Sequence, residues 1–215
     1  MIQEFTQEMK NLIQDMIRDV HTMIPGKIVT FDPAVCEASV LPFGKFKKPD
    51  GGMIDYPQIN RVPVYVMQSS GQTATMAFPI KPGDECIILF SEQALDTWRT
   101  KSESNTDLRF DLSNAMAIVG MFSRPNPLVA QACSTDAIII ERSGSRITLQ
   151  SGGKVDITGD TTIKGDTTII GDTAIKGSLT VDGDINNTGN MKTGGTHTDS
   201  VGVHIYDENA TSGGN

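Results

Sequence analysis

From Ile157 onward the chain alternates between two kinds of position. The odd positions hold Ile157, Gly159, Thr161, Ile163, Gly165 and so on to Val181, Gly183 and Ile185, while the even positions are almost all Thr, Asp, Lys or Ser. Side chains alternate faces along a β-strand, so this segment has one apolar or small face and one polar face. A second period is laid over the first. Glycine recurs every six residues at Gly153, Gly159, Gly165, Gly171, Gly177, Gly183, Gly189 and Gly195. Gly, Thr, Ile and Asp are poor helix residues, whereas Ile, Val and Thr suit a pleated surface, so the pattern predicts repetitive β-structure.

A six-residue repeat leads either to a single-chain β-helix or to a β-helix wound from several chains. Length decides between them. About seven hexads make only two or three single-chain coils, with mostly one Ile and one Gly facing inward per repeat. That apolar area does not offset an ordering entropy of about 1–2 kcal/mol per residue. Three chains about one axis stack Ile157, Ile163, Ile169, Ile175 and Val181 in layers, with glycine relieving crowding and no lateral edge left open. The expectation is an obligate homotrimer with a hexad-repeat shaft over residues 136–195.

Upstream the period changes. Ile2, Phe5, Met9, Leu12, Ile13, Met16, Ile17 and Val20 recur at helical spacing, which predicts an amphipathic helix within residues 1–24 that ends near Pro25 and Gly26. Such a helix can cap its own domain, dock on a partner protein or pack across the trimer. His21 reads as a surface or helix-capping residue.

Residues 27–122 alternate in short runs: Lys27–Phe31, Ala34–Leu41, Arg61–Gln68, Thr73–Phe78, Glu85–Phe90 and Ala115–Met121. They are separated by turn signals such as Asp32-Pro33 and Pro82-Gly83-Asp84. Five or six strands without long helices between them suggest a small closed barrel, of which the oligomer-binding (OB-fold) barrel is one version, over residues 25–135 with its connection. Stacking aromatics and a basic stripe are not evident, so a scaffold role is favoured over ligand binding. The fold class is all-β with a short N-terminal helix: a barrel, then an intertwined β-helix, then a small tip at 196–215.

Composition adds bounds. The chain has 215 residues and a formal charge of −8, tripled in a trimer, which disfavours nucleic acid as a partner. Cys36, Cys86 and Cys133 are odd in number and outside any CxxC arrangement, so buried reduced thiols are expected, as is synthesis in a cytoplasm. Neither a secretory signal nor a stretch of transmembrane length is visible.

Candidate chemistry is confined to the end of the chain. His197 and His204 follow the repeat beside Asp199 and Asp207. Three copies would present three or six imidazole nitrogens on the axis, a set suited to an iron or zinc ion, six of them to an octahedral one. The alternative is that both histidines pack in a folded-back cap. Asp160, Asp166, Asp172 and Asp184 form an acidic ladder, but calcium needs six to eight convergent oxygens, and the period differs from the nine-residue calcium repeat. Turns and solubility account for these aspartates. Lacking GxSxG, a phosphate-binding loop or HExxH, the chain is expected not to be an enzyme.

Several ordered segments carry a resemblance. Pro25-Gly26-Lys27-Ile28-Val29-Thr30-Phe31-Asp32-Pro33, Arg61-Val62-Pro63-Val64, Phe78-Pro79-Ile80-Lys81-Pro82-Gly83-Asp84-Glu85, Phe90-Ser91-Glu92 with Asp96-Thr97-Trp98, and Arg109-Phe110-Asp111-Leu112-Ser113-Asn114-Ala115 resemble the N-terminal domain of central spike proteins from contractile phage tails. The similarity spans about residues 20–125. It implies a trimeric baseplate spike in which an oligomer-binding barrel precedes a β-helical needle, bound to the tail hub or tube and transiently to the bacterial outer membrane. Related spikes often carry an axial iron held by a His-x-His pair from each chain. Here Thr198 follows His197 and the second histidine comes at 204, a departure from that motif. Two other classes stay open: a receptor- or glycan-binding tail fibre, and a hexapeptide-repeat acyltransferase. The acyltransferase repeat usually sets its aliphatic residue directly before Gly, whereas Ile157-Thr158-Gly159 separates them by one position.

Overall fold

The computed structural model describes residues 2–18, 20–48, 51–101, 108–192, 194, 196–198 and 203–205. They fall into two units, Met1–Gly159 and Asp160–Asn215.

The first unit opens with α1 (Ile2–Arg18), which ends earlier than its apolar spacing suggests. Strand β1 (Met23–Asp32) has already begun by Pro25, and the residue before a proline is biased away from helical geometry. The apolar face of α1 is uncovered. Phe5 is 64% exposed and Met16 65%, with Leu12, Ile13 and Ile17 similarly open, so α1 does not cap its own domain.

β1 is the centre of a five-stranded antiparallel sheet. Its neighbours are β2 (Glu37–Pro42) and β8 (Glu85–Phe90), and β5 (Ile59–Pro63) and β9 (Ala115–Val119) complete the order β5-β2-β1-β8-β9. Alternation dictates which face is inside. In β2 and β8 every second residue is buried, giving Ala38 and Val40 from one and Cys86, Ile88 and Phe90 from the other. Ile28, Ile59, Val62, Val64, Ala115 and Ala117 complete the core. Gly26 is required by close approach: a Cβ there would lie 2.6 Å from Ile88 Cδ1 and 2.9 Å from the Leu41 carbonyl oxygen.

Register shifts between Ile28 and Thr30 on β1, and between Ala38 and Val40 on β2, bend the sheet. The two edges then meet at a single parallel bridge, Val64 to Ala117, where Tyr65 N donates to Ala117 O at 2.8 Å. The result is a curled half-barrel joined at one point. Two hairpins decorate it, β3 (Lys45–Lys47) with β4 (Met53–Asp55), and β6 (Met67–Ser69) with β7 (Ala74–Met76). The run Arg61–Gln68, expected as one strand, is split between β5 and β6. The first hairpin and a short helix α2 (Leu95–Thr100) have no counterpart in the sequence reading.

A connection then leads to α3 (Pro127–Thr135), whose start is fixed by Asn126 Oδ1 accepting from Leu128 N at 2.9 Å, with Pro127 in the first turn. It is followed by a three-stranded antiparallel meander, β10 (Ala137–Arg142), β11 (Ser145–Gln150) and β12 (Val155–Thr158). This part of the span expected to intertwine pairs its strands within one chain.

The second unit differs in kind. Among its described residues, 160–192 hold neither helix nor strand. Beyond them a two-stranded antiparallel ladder joins β13 (Thr196–Thr198) to β14 (Val203–Ile205).

Candidate assembly surface and tip

In the meander, alternation separates two faces. Ile138 stands opposite Leu149, Ile140 opposite Ile147, Ile147 opposite Ile157, and Leu149 opposite Val155. These six aliphatic side chains share one face and are exposed, Ile138 to 63% and Ile157 to 60%. The other face is occupied. Arg146 forms an ion pair with Glu141 and donates to Gln131 Oε1 of α3 at 3.3 Å, so that side is finished while the aliphatic side is open. Adjacent aliphatic cross-strand pairs gain little while water covers them, and burial is worth about 25 cal/mol per Å².

The second unit repeats the pattern without any strand partner. Ile163 (68% exposed), Ile169, Ile175, Val181 and Ile185 are all open to solvent. The ladder glycines explain themselves by conformation: φ is +116° at Gly159, +115° at Gly165, +123° at Gly171, +136° at Gly177 and +147° at Gly183. L-residues rarely adopt such angles, and no atom stands within 4 Å of a Cβ built at Gly165, Gly171, Gly177 or Gly183. Backbone handedness within one chain, before any crowding, already selects glycine. Gly189 is not in this region, so the conformational repeat ends at Gly183 although the sequence ladder continues.

At the end of the chain, the register sets His197 directly opposite His204, with Thr196 opposite Ile205 and Thr198 opposite Val203. The two candidate ligands are therefore cross-strand partners. Asp199 and Asp207 lie outside the described residues. Among the described residues no three His, Cys, Asp or Glu side chains converge on a metal-sized site, and no helix is long and apolar enough to cross a membrane.

On the half-barrel, three polar arrangements hold the loops. Asn114, 2% exposed, is the centre of one: its Nδ2 donates to the carbonyls of Ser91 (3.0 Å), Gln93 (2.7 Å) and Leu108 (3.0 Å), and its Oδ1 accepts from Leu95 N at 2.8 Å. Beside it, the Ser113 hydroxyl and then the Ser113 amide bind the Asp111 carboxylate and hold its pKa below the ordinary value, with a smaller contribution from His21. In the second, Glu37 forms ion pairs with Arg99 and Arg61, and Arg99 Nη1 also donates to the Arg61 carbonyl at 3.1 Å. In the third, Glu85 accepts from the Ser123 hydroxyl at 2.9 Å and from its amide, tying the outgoing connection to β8.

Three residues sit differently from expectation. His21 neither caps α1 nor lies bare: its ring packs 5.5 Å from Phe90, 6.1 Å from Tyr56 and 6.5 Å from Phe46, centre to centre. Cys36 and Cys133 are exposed, the first in the turn after β1 and the second on α3. Only Cys86 is a buried thiol, and burial pushes its pKa up to about 11. The aromatic contacts of His21 required Phe46 and Tyr56 to be brought near Phe90 by a hairpin that short-range pattern did not reveal.

Residues 24–120 match the family described as the phage protein Gp138 N-terminal domain. The matched span begins in β1 and ends just after β9, so it takes in the half-barrel and its hairpins and none of the meander or glycine repeat. No curated protein matches the chain. The match supports a phage-type structural protein that works in association with a virion.

Proposed function

We propose that the chain is the central spike of a contractile phage tail or tail-like particle, a homotrimer that caps the tail tube and punctures the bacterial outer membrane when the sheath contracts. One observation carries this reading. From Ile138 to Ile185 the chain exposes its aliphatic residues on alternate positions, and over 160–192 it offers its backbone no strand of its own. A polypeptide in that state needs other copies to bury its side chains and pair its backbone groups. Three is the number that encloses an axis with one aliphatic position per chain in each layer. The half-barrel order β5-β2-β1-β8-β9, with its parallel bridge between the strand ends, is the arrangement of a partly open oligomer-binding barrel. In this reading it serves as the mount on the tail hub, and force is carried mechanically, without catalysis.

The tip follows from the same symmetry. His197 and His204 are paired in the backbone register of β13 and β14, and in this reading that pair takes the part of a His-x-His spacing along one strand. Three chains would offer six nitrogens, a donor set that fits iron or zinc. Such an ion would tie the three chain ends together. The aromatic group around His21 speaks against a sugar platform, since its rings face one another and Phe90 is buried.

Native mass measurement of the full chain, with metal analysis, tests the reading. A trimer carrying one iron or zinc per three chains is expected, and His197→Ala and His204→Ala should each lower metal content. A monomer overturns the shaft, and unchanged metal content in both variants removes these histidines as ligands. Puncturing itself is tested in particles: an assembled spike with a disrupted shaft that penetrates as well as the parent would defeat the mechanical role.

A further inference from the structure

Helix α1 leaves the half-barrel from a fixed point. Three residues beyond Arg18, His21 N donates to Phe110 O at 3.1 Å and the His21 ring is held by Phe46, Tyr56 and Phe90. On the helix itself, Gln7 Nε2 donates to Asn11 Oδ1 at 3.0 Å along the polar face, while the apolar face is open. Ile2, Phe5, Met9, Leu12 and Met16 follow one another at alternating three- and four-residue steps. That is the spacing of the a and d positions of a heptad, which seals helices against one another. Ile13 and Ile17 widen the stripe beyond that seam. At 3.6 residues per turn the whole apolar set covers about 140°.

We propose that three copies of α1 pack as a short parallel three-helix coil, forming a second trimer contact at the barrel end of the assembly. The proposal rests on the homotrimer reading above. Three helices rather than two follow from the stripe: a two-stranded seam covers mainly a and d, leaving Ile13 at e wet, whereas a third helix reaches that flanking position. Charge permits the arrangement. In a parallel heptad register Glu8 meets the position of Ile13 on a neighbouring helix, so no like charge opposes it. Length makes the contact conditional. A helix of 17 residues spans only about 25 Å and is marginal alone, and such a pair buries less than the roughly 1,200 Å² of a stable interface. Held by their anchored exits in one trimer, the three helices meet at an effective concentration on the order of millimolar. The shaft brings the chains together, and α1 then adds a second contact among them.

The test uses the full-length chain carrying Cys36→Ser and Cys133→Ser, with Met9→Cys placed on the seam or Gln7→Cys on the polar face, oxidised and run without reductant beside a native mass measurement. Trimers in both, with disulfide-linked dimers at least fivefold more abundant for Met9→Cys, are expected. A trimeric mass without that excess overturns the three-helix contact and leaves the shaft reading standing. A monomeric mass overturns both. As a second measurement, Phe5→Glu with Leu12→Glu should keep the trimeric mass yet lose helical circular dichroism relative to the parent, because an unpartnered α1 does not hold its helix. Undiminished helicity in that variant counts against the proposal.

Discussion

The half-barrel and the glycine repeat are both built from alternating β-sequence, yet they use it oppositely. In the half-barrel, β2 and β8 turn their inward residues onto each other, and Val40 and Ile88 are 0% exposed in a single chain. In the repeat, equivalent alternation leaves Ile163 and Ile169 68% and 65% exposed. The difference lies in what breaks the pattern. Turn signals and register shifts fold the first segment back on itself, giving strands of high sequence separation as neighbours. The repeat has only its positive-φ glycines, all alike, so nothing along it directs the chain to return. Along a uniform period every repeat offers the same face, so the sequence singles out no one intrachain neighbour, and in the proposed trimer the neighbour is an identical segment.

The largest effect should come from breaking that identity. Ile163→Asp with Ile169→Asp puts six carboxylates in two layers of the proposed axis, and each unpaired buried charge costs several kcal/mol. Native mass should shift from trimer to monomer while the near-ultraviolet signal of the half-barrel persists. If the double variant stays trimeric, the exposed aliphatic face is not the assembly surface, and the contrast between the two regions fails.

The reverse experiment acts on the self-sufficient region. Ile88→Ala empties the middle of the core and should cost the half-barrel about 2–5 kcal/mol. Thermal scans should show its transition fall while the shaft transition stays, giving two separated events where domains melt independently. A single transition that moves as a whole would mean that the two regions fold as one cooperative body.

How legible each region was follows from the same contrast. The period of the repeat is plain in the sequence, but the strands it predicts are not formed within one chain, since 160–192 hold neither helix nor strand, and the glycines are singled out by handedness at φ values above +110° rather than by crowding. The main barrel strands were legible through alternation. The β3 and β4 hairpin was not: its strands are three residues each, too short to show a period. Helix α3 left a trace in Asn126-Pro127, a cap followed by a first-turn proline, but its 9 residues are too few to show a helical period. The opposition of His197 and His204 could not be read from a six-residue gap, because spacing alone does not set a strand register. Asn114 gave the least sign of its role. An asparagine next to a strand is ordinary in sequence, and only the return of the 91–108 loop brings four partners to it.

That node offers a sharper comparison, since it holds the half-barrel by polar rather than apolar means. Asn114→Ala takes one partner from each of the Ser91, Gln93 and Leu108 carbonyls and from the Leu95 amide; Ser91 O keeps Phe110 N and Leu108 O keeps Asp111 N, while a buried polar group left without a partner costs about 1–3 kcal/mol. Chemical denaturation should show a loss of about 2–3 kcal/mol, less than the full sum because water reaches the loosened loop. Amide exchange should quicken in 91–101 and 108–114 and stay unchanged in the shaft. Exchange that quickens equally in both regions would contradict their independence.

The smallest effect belongs to Asp111, which lies exposed at the edge of the same node. Its carboxylate pKa is lowered, first by the Ser113 hydroxyl, then by the Ser113 amide, with His21 adding a lesser attraction. A carboxylate whose folded pKa lies below its unfolded value of about 3.9 contributes stability that is complete above that pH and is lost as pH falls through the folded value. Asp111→Asn should therefore be slightly less stable than the parent at pH 7, and the gap should close below about pH 4, when the parent's own carboxylate takes a proton. Denaturation at pH 7 and pH 3 measures the closing directly. Because Asp111 and its partners all lie in the half-barrel, the native mass should not respond to the substitution at pH 7. A trimer weakened by Asp111→Asn would show that the polar node reaches the assembly surface, and that the half-barrel and the glycine repeat are coupled after all.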